Sequence, residues 1–287
     1  MNRALAILCL LFSYVALAEE ANAGSTKPAV FDIHVHLREG EASLREYKTD
    51  VASADIQISG LGAMWFGGPY HALAGQPEDV RKRNDSLIAL AKKHAEVLAI
   101  ATVHPYDGQA ALDELARIAA LGVKVLKIHA HTQKFDVADP RVLTLVRKAG
   151  ELGLVVLMDN ANILPGDSEK LFNLAAQAPR TAFVFAHMGG SNFRFWNILK
   201  LARTADGFGM ENVYFDISGT VLLAADSPIE EEFIWTLRNV GIDKVILGSD
   251  YPQISLKRTL DAFDKIDLTD EEKAKIREGN ARRLFGR

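Results

Sequence analysis

Eight short apolar runs alternate with longer amphipathic segments, and this alternation constrains the fold more than any other feature of the chain. The predicted strands cover residues 29–34, 56–66, 97–104, 123–129, 154–159, 182–187, 213–217 and 245–250. Strands that are separated by helices pair in parallel through right-handed crossovers, and about 250 residues is the usual size of a (β/α)8 barrel. The alternative is a doubly wound open sheet, but no glycine-rich phosphate loop follows the first strand. We therefore predict an α/β fold, a single (β/α)8 TIM barrel.

Helical patterns separate most of these strands. They cover residues 77–94, 110–121, 140–152, 168–177, 193–203 and 228–240. Pro140 and Pro228 each follow a residue that commonly caps a helix, so each is expected in a first helical turn. Two pairs have the spacing of a capping box: Ser227 with Glu230, and Thr269 with Glu272.

The N-terminal segment has the pattern of a secretory signal. Asn2 and Arg3 precede an apolar run at residues 4–18, which is shorter than the roughly 20 apolar residues that span a bilayer. Small residues predict cleavage after Ala18 or Ala23. We expect a cleaved signal peptide over residues 1–23, a barrel domain over residues 24–287 and a secreted or periplasmic location. A buried N-terminal helix or a retained anchor is the alternative.

Composition limits the partners. The chain has 287 residues, 48% of them hydrophobic, and a net charge of -4, so electrostatics favours neither nucleic acid nor an anionic membrane. Cys9 is the only cysteine and lies in the predicted signal, so the mature chain would have no disulfide and no cysteine nucleophile. We expect a small-molecule substrate and no stable membrane association after cleavage. Homo-oligomerisation is left open.

Side chains that bind metals or transfer protons end six of the eight predicted strands. They are His34 and His36 on the first, His104 on the third, Lys127 and His129 on the fourth, Asp159 on the fifth, His187 on the sixth and Asp250 on the eighth. Strand side chains alternate, so each pair separated by one residue shares a face, and His187 is expected on the face of Phe183 and Phe185. Reactive groups of TIM barrels stand at the C-terminal ends of strands. These residues therefore predict one site at that end.

Five motifs occur in order along the chain. They are Asp32-Ile-His-Val-His36, Lys127-Ile-His129, Ala186-His-Met-Gly-Gly190, Gly248-Ser-Asp-Tyr-Pro252 and Gly279-Asn-Ala-Arg-Arg-Leu-Phe-Gly286. Together they resemble the amidohydrolase-related family of the metal-dependent amidohydrolase superfamily. The resemblance implies a (β/α)8 barrel that holds one or two divalent metal ions. It also implies hydrolysis of amides, esters or lactones, with decarboxylation or hydration in some members.

The resemblance also implies roles for individual residues. His34 and His36 match the metal ligands of the first strand. His187 matches a histidine that polarises the substrate or steadies the bound hydroxide, and Asp250 matches an aspartate that is both ligand and general base. In this chemistry the metal lowers the pKa of its water toward about 7, and the aspartate accepts the proton.

The fifth strand departs from the family pattern. Family members usually end it with a histidine ligand, in a run such as Leu-Ile-His-Thr-Gly, whereas this chain has Leu157-Met-Asp-Asn-Ala161. A carboxylate binds zinc and suits harder ions such as manganese better than imidazole does. We predict that His34, His36, Asp159 and Asp250 hold one divalent ion, with zinc expected and manganese as the alternative. The opposing interpretation is a decayed site that binds metal poorly.

Three further residues are candidates for substrate binding. Lys127 is interpreted as the anchor of a substrate carboxylate or the counter-ion of Asp159, with a carbamylated metal ligand as the less favoured alternative. His129 either participates directly or supports the site through hydrogen bonds. Trp65 is placed at the substrate mouth, with packing in the core as the alternative.

The sequence thus predicts an exported, metal-dependent hydrolase. The first alternative is a metal-dependent decarboxylase or hydratase of an unsaturated carboxylic acid, which a carboxylate anchor at Lys127 would suit. The second is a barrel that has lost catalysis and acts as a binding protein. The predicted export favours hydrolysis of an imported nutrient.

Overall fold

Eight parallel strands form one sheet in chain order, as predicted. The computed structural model describes residues 28–205 and 208–286, so the predicted signal peptide lies outside the described residues. The strands are β1 Val30–His36, β2 Ile58–Met64, β3 Val97–Ala101, β4 Val125–Ile128, β5 Val155–Met158, β6 Phe183–Phe185, β7 Val213–Asp216 and β8 Val245–Ile246. Each overlaps its predicted counterpart.

The segment after β8 returns to β1 and nearly closes the barrel. The amide of Ile33 donates to the carbonyl of Leu247, and the amide of Asp250 donates to the carbonyl of His34, with N···O distances of 3.1 and 2.9 Å. Val35 and Tyr251 then form a parallel bridge. Closure therefore brings the eighth strand-end residue, Asp250, directly against the first strand.

Helices cover the outside of the sheet. They are α1 Glu41–Ser53, α2 Pro77–Lys93, α3 Gln109–Ala120, α4 Ala130–Gln133, α5 Pro140–Glu151, α6 Asp167–Gln177, α7 Ile198–Ala202, α8 Thr220–Ala224, α9 Glu230–Val240, α10 Leu256–Lys265, α11 Asp270–Ala274 and α12 Asn280–Phe285. Within the part of the chain that the structure describes, no helix has both the length and the apolar character needed to cross a bilayer.

One of the two predicted capping boxes forms. Thr269 and Glu272 exchange both hydrogen bonds at the start of α11. The box predicted at Ser227 is wrong, because α9 begins only at Glu230. The Glu230 carboxylate accepts instead from the amide of Asp226 at 2.7 Å.

The barrel interior is filled by side chains from alternate strand positions. This inner core includes Phe31, Ile33, Leu98, Ile100, Val125, Leu157, Val184 and Ile246. The glycines that interrupt the predicted second strand make room for it. A Cβ on Gly60 would lie 2.6 Å from the ring of Phe31, and one on Gly62 would lie 2.5 Å from the carbonyl oxygen of Ile33. The close approach of β2 to β1 therefore requires glycine at both positions.

Candidate metal centre

A cavity of about 300 Å³ opens where the strands end. Its lining includes seven of the residues that the strand-end pattern or the family resemblance singled out: His34, His36, Lys127, His129, Asp159, His187 and Asp250. The sequence pattern therefore identified residues that the barrel brings together. Their mutual geometry divides them into two sides.

An irregularity in β1 turns both histidines of the first strand toward the cavity. Phe31 and Ile33 belong to the inner core, whereas Val35 packs in the outer core between sheet and helices. The register of β1 against β2 shifts between Asp32 and Val35. This bulge changes the phase of the alternation, so His34 and His36 follow the inward-facing Ile33 into the cavity.

His34, His36 and Asp250 converge on one point. One potential ligand atom from each lies within 4.8 Å of the others. Asp250 Oδ1 is 3.4 Å from His34 Nε2 and 3.2 Å from His36 Nε2. Asp159 is not part of this convergent group, although the sequence predicted it as a fourth ligand.

The hydrogen bonds of the two imidazoles suit a cation at this point. His34 Nδ1 lies 2.6 Å from Asp216 Oδ2, and His36 Nδ1 lies 2.7 Å from the carbonyl oxygen of Phe66. Both partners accept hydrogen bonds, so Nδ1 carries a hydrogen, and in the neutral form of each ring Nε2 presents a lone pair. Two lone pairs and a carboxylate oxygen then face one another, and only a cation or a proton between them makes that favourable. The donor set therefore fits a divalent metal ion.

Burial and neighbouring charges set the ionisation of this side of the cavity. Burial lowers the pKa of His34 to about 4. The charge of Lys127 also lowers this pKa, whereas the charge of Asp216 raises it. Burial opposes ionisation of Asp250, but the nearby imidazoles, chiefly that of His34, keep its pKa well below the ordinary value. A neutral imidazole and an ionised carboxylate are the forms that bind metals. We call His34, His36, Asp216 and Asp250 the metal-side cluster.

His187 reaches the cavity by a route that alternation did not predict. Phe183 and Phe185 pack in the outer core, so the expectation that His187 shares their face is wrong. β6 ends at Phe185, and His187 has a φ of 59°, a left-handed conformation that turns the ring inward. The ring centroid then lies 5.1 Å from that of His34.

Asp159 lies between two histidines. Its Oδ1 is 3.4 Å from His187 Nε2 and 3.6 Å from His129 Nε2. His187 Nδ1 donates to the carbonyl of Ser218 at 3.0 Å. Burial opposes protonation of His187, but the contact with Asp159 outweighs it and raises the pKa of His187 to about 9. The imidazolium form therefore has an acceptor for each N–H.

Lys127 and His129 complete this side of the cavity. Lys127 is only 1% exposed, and this burial lowers its pKa. The negative charges of Asp159, Asp216 and Asp250 raise the pKa but do not outweigh burial. Neither Lys127 Nζ nor His129 Nδ1 has a hydrogen-bond partner among the described residues. We call Lys127, His129, Asp159 and His187 the lysine-side cluster.

Two remaining candidates, His104 and Trp65, lie outside the cavity lining. His104 Nε2 lies 2.7 Å from the carbonyl oxygen of Gln133, so the expectation that His104 joins the site is wrong. Trp65 is also placed elsewhere. It is 5% exposed, it is absent from the cavity lining, and its indole N–H donates to Asn84 Oδ1 at 2.9 Å.

The cavity lining instead includes Arg38, which the sequence analysis missed. Alternation was the available signal, because Arg38 continues the series of His34 and His36. Asp216, which orients His34, was not among the predicted ligands either.

Solved structures share this fold. A Staphylococcus aureus protein that is described as an amidohydrolase matches with a TM-score of 0.69 and 19% identity, over 91% of this chain and 100% of that one. A 2,6-dihydroxybenzoate decarboxylase from Rhizobium matches with a TM-score of 0.67 and 18% identity, over 90% and 98% of the two chains. A dihydroxybenzoic acid decarboxylase from Polaromonas sp. JS666, with bound manganese and the inhibitor 2-nitroresorcinol, matches with a TM-score of 0.64 and 15% identity, over 90% and 96%. At these identities the likeness concerns the fold.

Sequence comparison gives the family. No curated protein sequence matches the chain. The sequence model of the amidohydrolase family matches residues 31–287, which include seven whole strands, all of β1 except its first residue, and both clusters of the cavity. The chain therefore belongs to the amidohydrolase family.

Proposed function

We propose that this protein is a metal-dependent hydrolase that cleaves an amide, ester or lactone in a small molecule. The observation that carries the proposal is the convergence of His34 Nε2, His36 Nε2 and Asp250 Oδ1 in a cavity of about 300 Å³. Such a volume suits a small organic molecule. A divalent ion held there would polarise a carbonyl and lower the pKa of a bound water.

Asp250 and His187 have complementary protonation states for hydrolysis. Asp250 is ionised and can take the proton of an attacking water. His187 is held as the imidazolium, and its Nε2–H lies 3.4 Å from Asp159, so it would have to turn from Asp159 to a bound substrate to donate to the oxygen that gains charge or to the leaving group. Asp159 keeps that proton on His187. In this assignment Asp159 positions His187, whereas the sequence analysis predicted that Asp159 is a metal ligand.

Non-oxidative decarboxylation is the second candidate. Two cationic side chains, Lys127 and Arg38, line the cavity, and a carboxylic acid is the substrate that such charges favour. Structures of similar fold include decarboxylases of dihydroxybenzoic acids, one of them with manganese. The same metal-side cluster would serve either reaction.

Metal analysis followed by a substrate screen tests the proposal. Protein loaded separately with zinc and with manganese should retain about one ion per chain after dialysis. The loaded protein is then assayed with amides, esters, lactones, phosphoesters and unsaturated or aromatic carboxylic acids. Hydrolysis of one class supports the hydrolase, and release of carbon dioxide instead establishes the second candidate. Protein that retains neither metal contradicts both.

The variant Asp159→His tests the alternative of a barrel that has lost catalysis. It restores the residue that the family usually has at the end of β5. If the variant binds metal and converts a substrate, whereas the parent does neither, the parent is a barrel that has lost catalysis and acts as a binding protein. We expect the parent to be active and the variant to gain nothing.

We also propose export, on the basis of the N-terminal sequence pattern at residues 1–23. Mass spectrometry of the protein recovered from its natural host tests it. A mature N-terminus at Glu19 or Gly24 supports export, whereas a protein that still contains residues 4–23 contradicts it.

A further inference from the structure

We propose that Arg38 anchors a carboxylate on the substrate, so that the cavity selects small anionic molecules. The inference rests on the proposed function in one respect, since it takes the cavity to be the substrate site. It adds a substrate class and a specificity-determining residue that neither the motifs nor the metal-side cluster supplies.

The backbone places Arg38 next to the metal-side cluster. It follows His36 by two residues, so their Cα atoms are no more than about 7 Å apart. A Cβ on Gly67 would lie 2.8 Å from His36 Nδ1, and a Cβ on Gly68 would lie 2.7 Å from the guanidinium carbon of Arg38. The imidazole and the guanidinium therefore rest on two adjacent glycines, and the absence of a side chain at Gly68 fixes where the guanidinium lies.

None of the residues that the structure describes forms an ion pair that would balance the charge of Arg38. Its Nε is also buried without a hydrogen-bond partner among those residues. Lys127, the other cation of the cavity, also has no hydrogen-bond partner at Nζ among the described residues, but burial lowers its pKa and so disfavours its charged form, against the charges of three aspartates. A guanidinium stays charged throughout the ordinary pH range, so Arg38 is the cation that the cavity offers to a ligand.

The chemistry of Arg38 and its surroundings narrows the ligand. A guanidinium presents N–H groups in a planar fork that matches a carboxylate. Ile163, which is 77% exposed, lines the same cavity. An apolar body against Ile163 and a carboxylate against Arg38 would leave the rest of a small molecule directed at the metal-side cluster.

Binding of matched acid and amide pairs tests the inference without requiring turnover. The probes are benzoate with benzamide and hexanoate with hexanamide, titrated calorimetrically into zinc-loaded and into metal-free protein. The variants are Arg38→Gln, which removes the charge, and Gly68→Ala, which keeps the charge but displaces the guanidinium. Arg45→Gln is the control, because Arg45 is an exposed arginine outside this cavity.

We expect the parent to bind at least one acid more tightly than its amide. Arg38→Gln and Gly68→Ala should weaken that acid at least tenfold in both forms of the protein, which is the ordinary size of a lost charge-assisted hydrogen bond. The amides and the control variant should be unaffected. Equal affinity of the parent for acids and amides overturns the inference. A second result also overturns the inference: the acid binds only to metal-loaded protein, and Arg38→Gln does not weaken this binding. That result would assign carboxylate binding to the metal ion. Metal retention is measured separately, so failure of the proposed function is distinguishable from failure of this inference.

Discussion

The two sides of the cavity differ in how completely their polar groups are satisfied. On the metal side each imidazole has an acceptor for Nδ1, at 2.6 Å for His34 and 2.7 Å for His36. On the lysine side neither Lys127 Nζ nor His129 Nδ1 has a hydrogen-bond partner within residues 28–205 and 208–286, and the contacts of Asp159 with its two histidines are 3.4 and 3.6 Å long. Good hydrogen bonds to nitrogen span about 2.7 to 3.2 Å.

This difference indicates that the metal side is arranged to bind an ion and the lysine side to bind a substrate. A buried polar atom without a partner costs about 1 to 3 kcal/mol, so such atoms are rare and call for an explanation. The metal side is already arranged for one ion, since Nδ1 of both imidazoles is held by an acceptor and both Nε2 atoms face Asp250. The lysine side is incomplete without a ligand, which is what a substrate surface needs. The predictions below test this division.

The largest effect is expected from the converging ligand atoms. His34→Ala and Asp250→Asn should each abolish retention of the metal and lower activity by roughly a thousandfold, because each removes one of three ligand atoms. Metal content per chain and turnover of the substrate found in the screen are the measurements. His94→Ala is the control, because His94 pairs with Glu41 away from the cavity. Retention of a full ion by both variants would contradict the assignment of the metal side.

Asp159→Asn separates the two sides. If Asp159 acts only on the lysine side, the variant should keep its metal and lose about a hundredfold in kcat, since His187 loses the charge that holds its proton. Metal content and kcat are measured on the same sample. Loss of the metal together with activity would instead make Asp159 a ligand, as the sequence predicted, and the division into two sides would fail.

The pH dependence of stability should carry an acid limb to which both sides contribute and an alkaline limb from the lysine side. Burial lowers the pKa of His34 and of His129 to about 4, so the unfolded chain binds these protons first and stability falls as the pH drops from about 6.5 to 4. Asp159 raises the pKa of His187 to about 9, so the folded chain holds that proton more tightly and stability falls as the pH rises from about 6.5 to 9. Asp32, whose pKa burial raises to about 6, partly opposes the acid limb.

Denaturant unfolding of metal-free protein at each pH measures both limbs. The parent should be most stable near neutral pH. Asp159→Asn should lose the alkaline limb and keep the acid one, so the comparison of the two proteins isolates His187. An alkaline limb of the same size in both proteins would show that Asp159 does not hold that proton.

Much of this arrangement was readable from residue patterns. The alternation of apolar runs located all eight strands, because a strand buried on both faces needs an apolar run of only a few residues. The same pattern located the residues that follow the strands, and closure of a barrel brings those ends together. The helix α1 was not predicted from the sequence, and most of its side chains are polar or charged.

Directions and partners were not readable. The bulge in β1 decides that His34 faces inward, and strict alternation would have placed it opposite Ile33. The left-handed conformation of His187 likewise breaks the pattern that Phe183 and Phe185 set. Asp216, which orients His34, is separated from it by 182 residues, so their pairing depends on the whole barrel. Local sequence patterns predict which side chains belong to the site, whereas long-range packing decides which of these side chains come into contact.

The smallest effect is expected at Trp65, which tests where the substrate surface ends. Trp65→Phe removes the hydrogen bond to Asn84 and leaves a small void in the core, so it should cost about 2 kcal/mol of stability. KM and kcat should be unchanged, because Trp65 is buried and is absent from the cavity lining. Thermal unfolding and steady-state kinetics on one preparation measure both. A raised KM at unchanged stability would return Trp65 to the substrate mouth, where the sequence placed it, and would extend the binding surface beyond the lysine side.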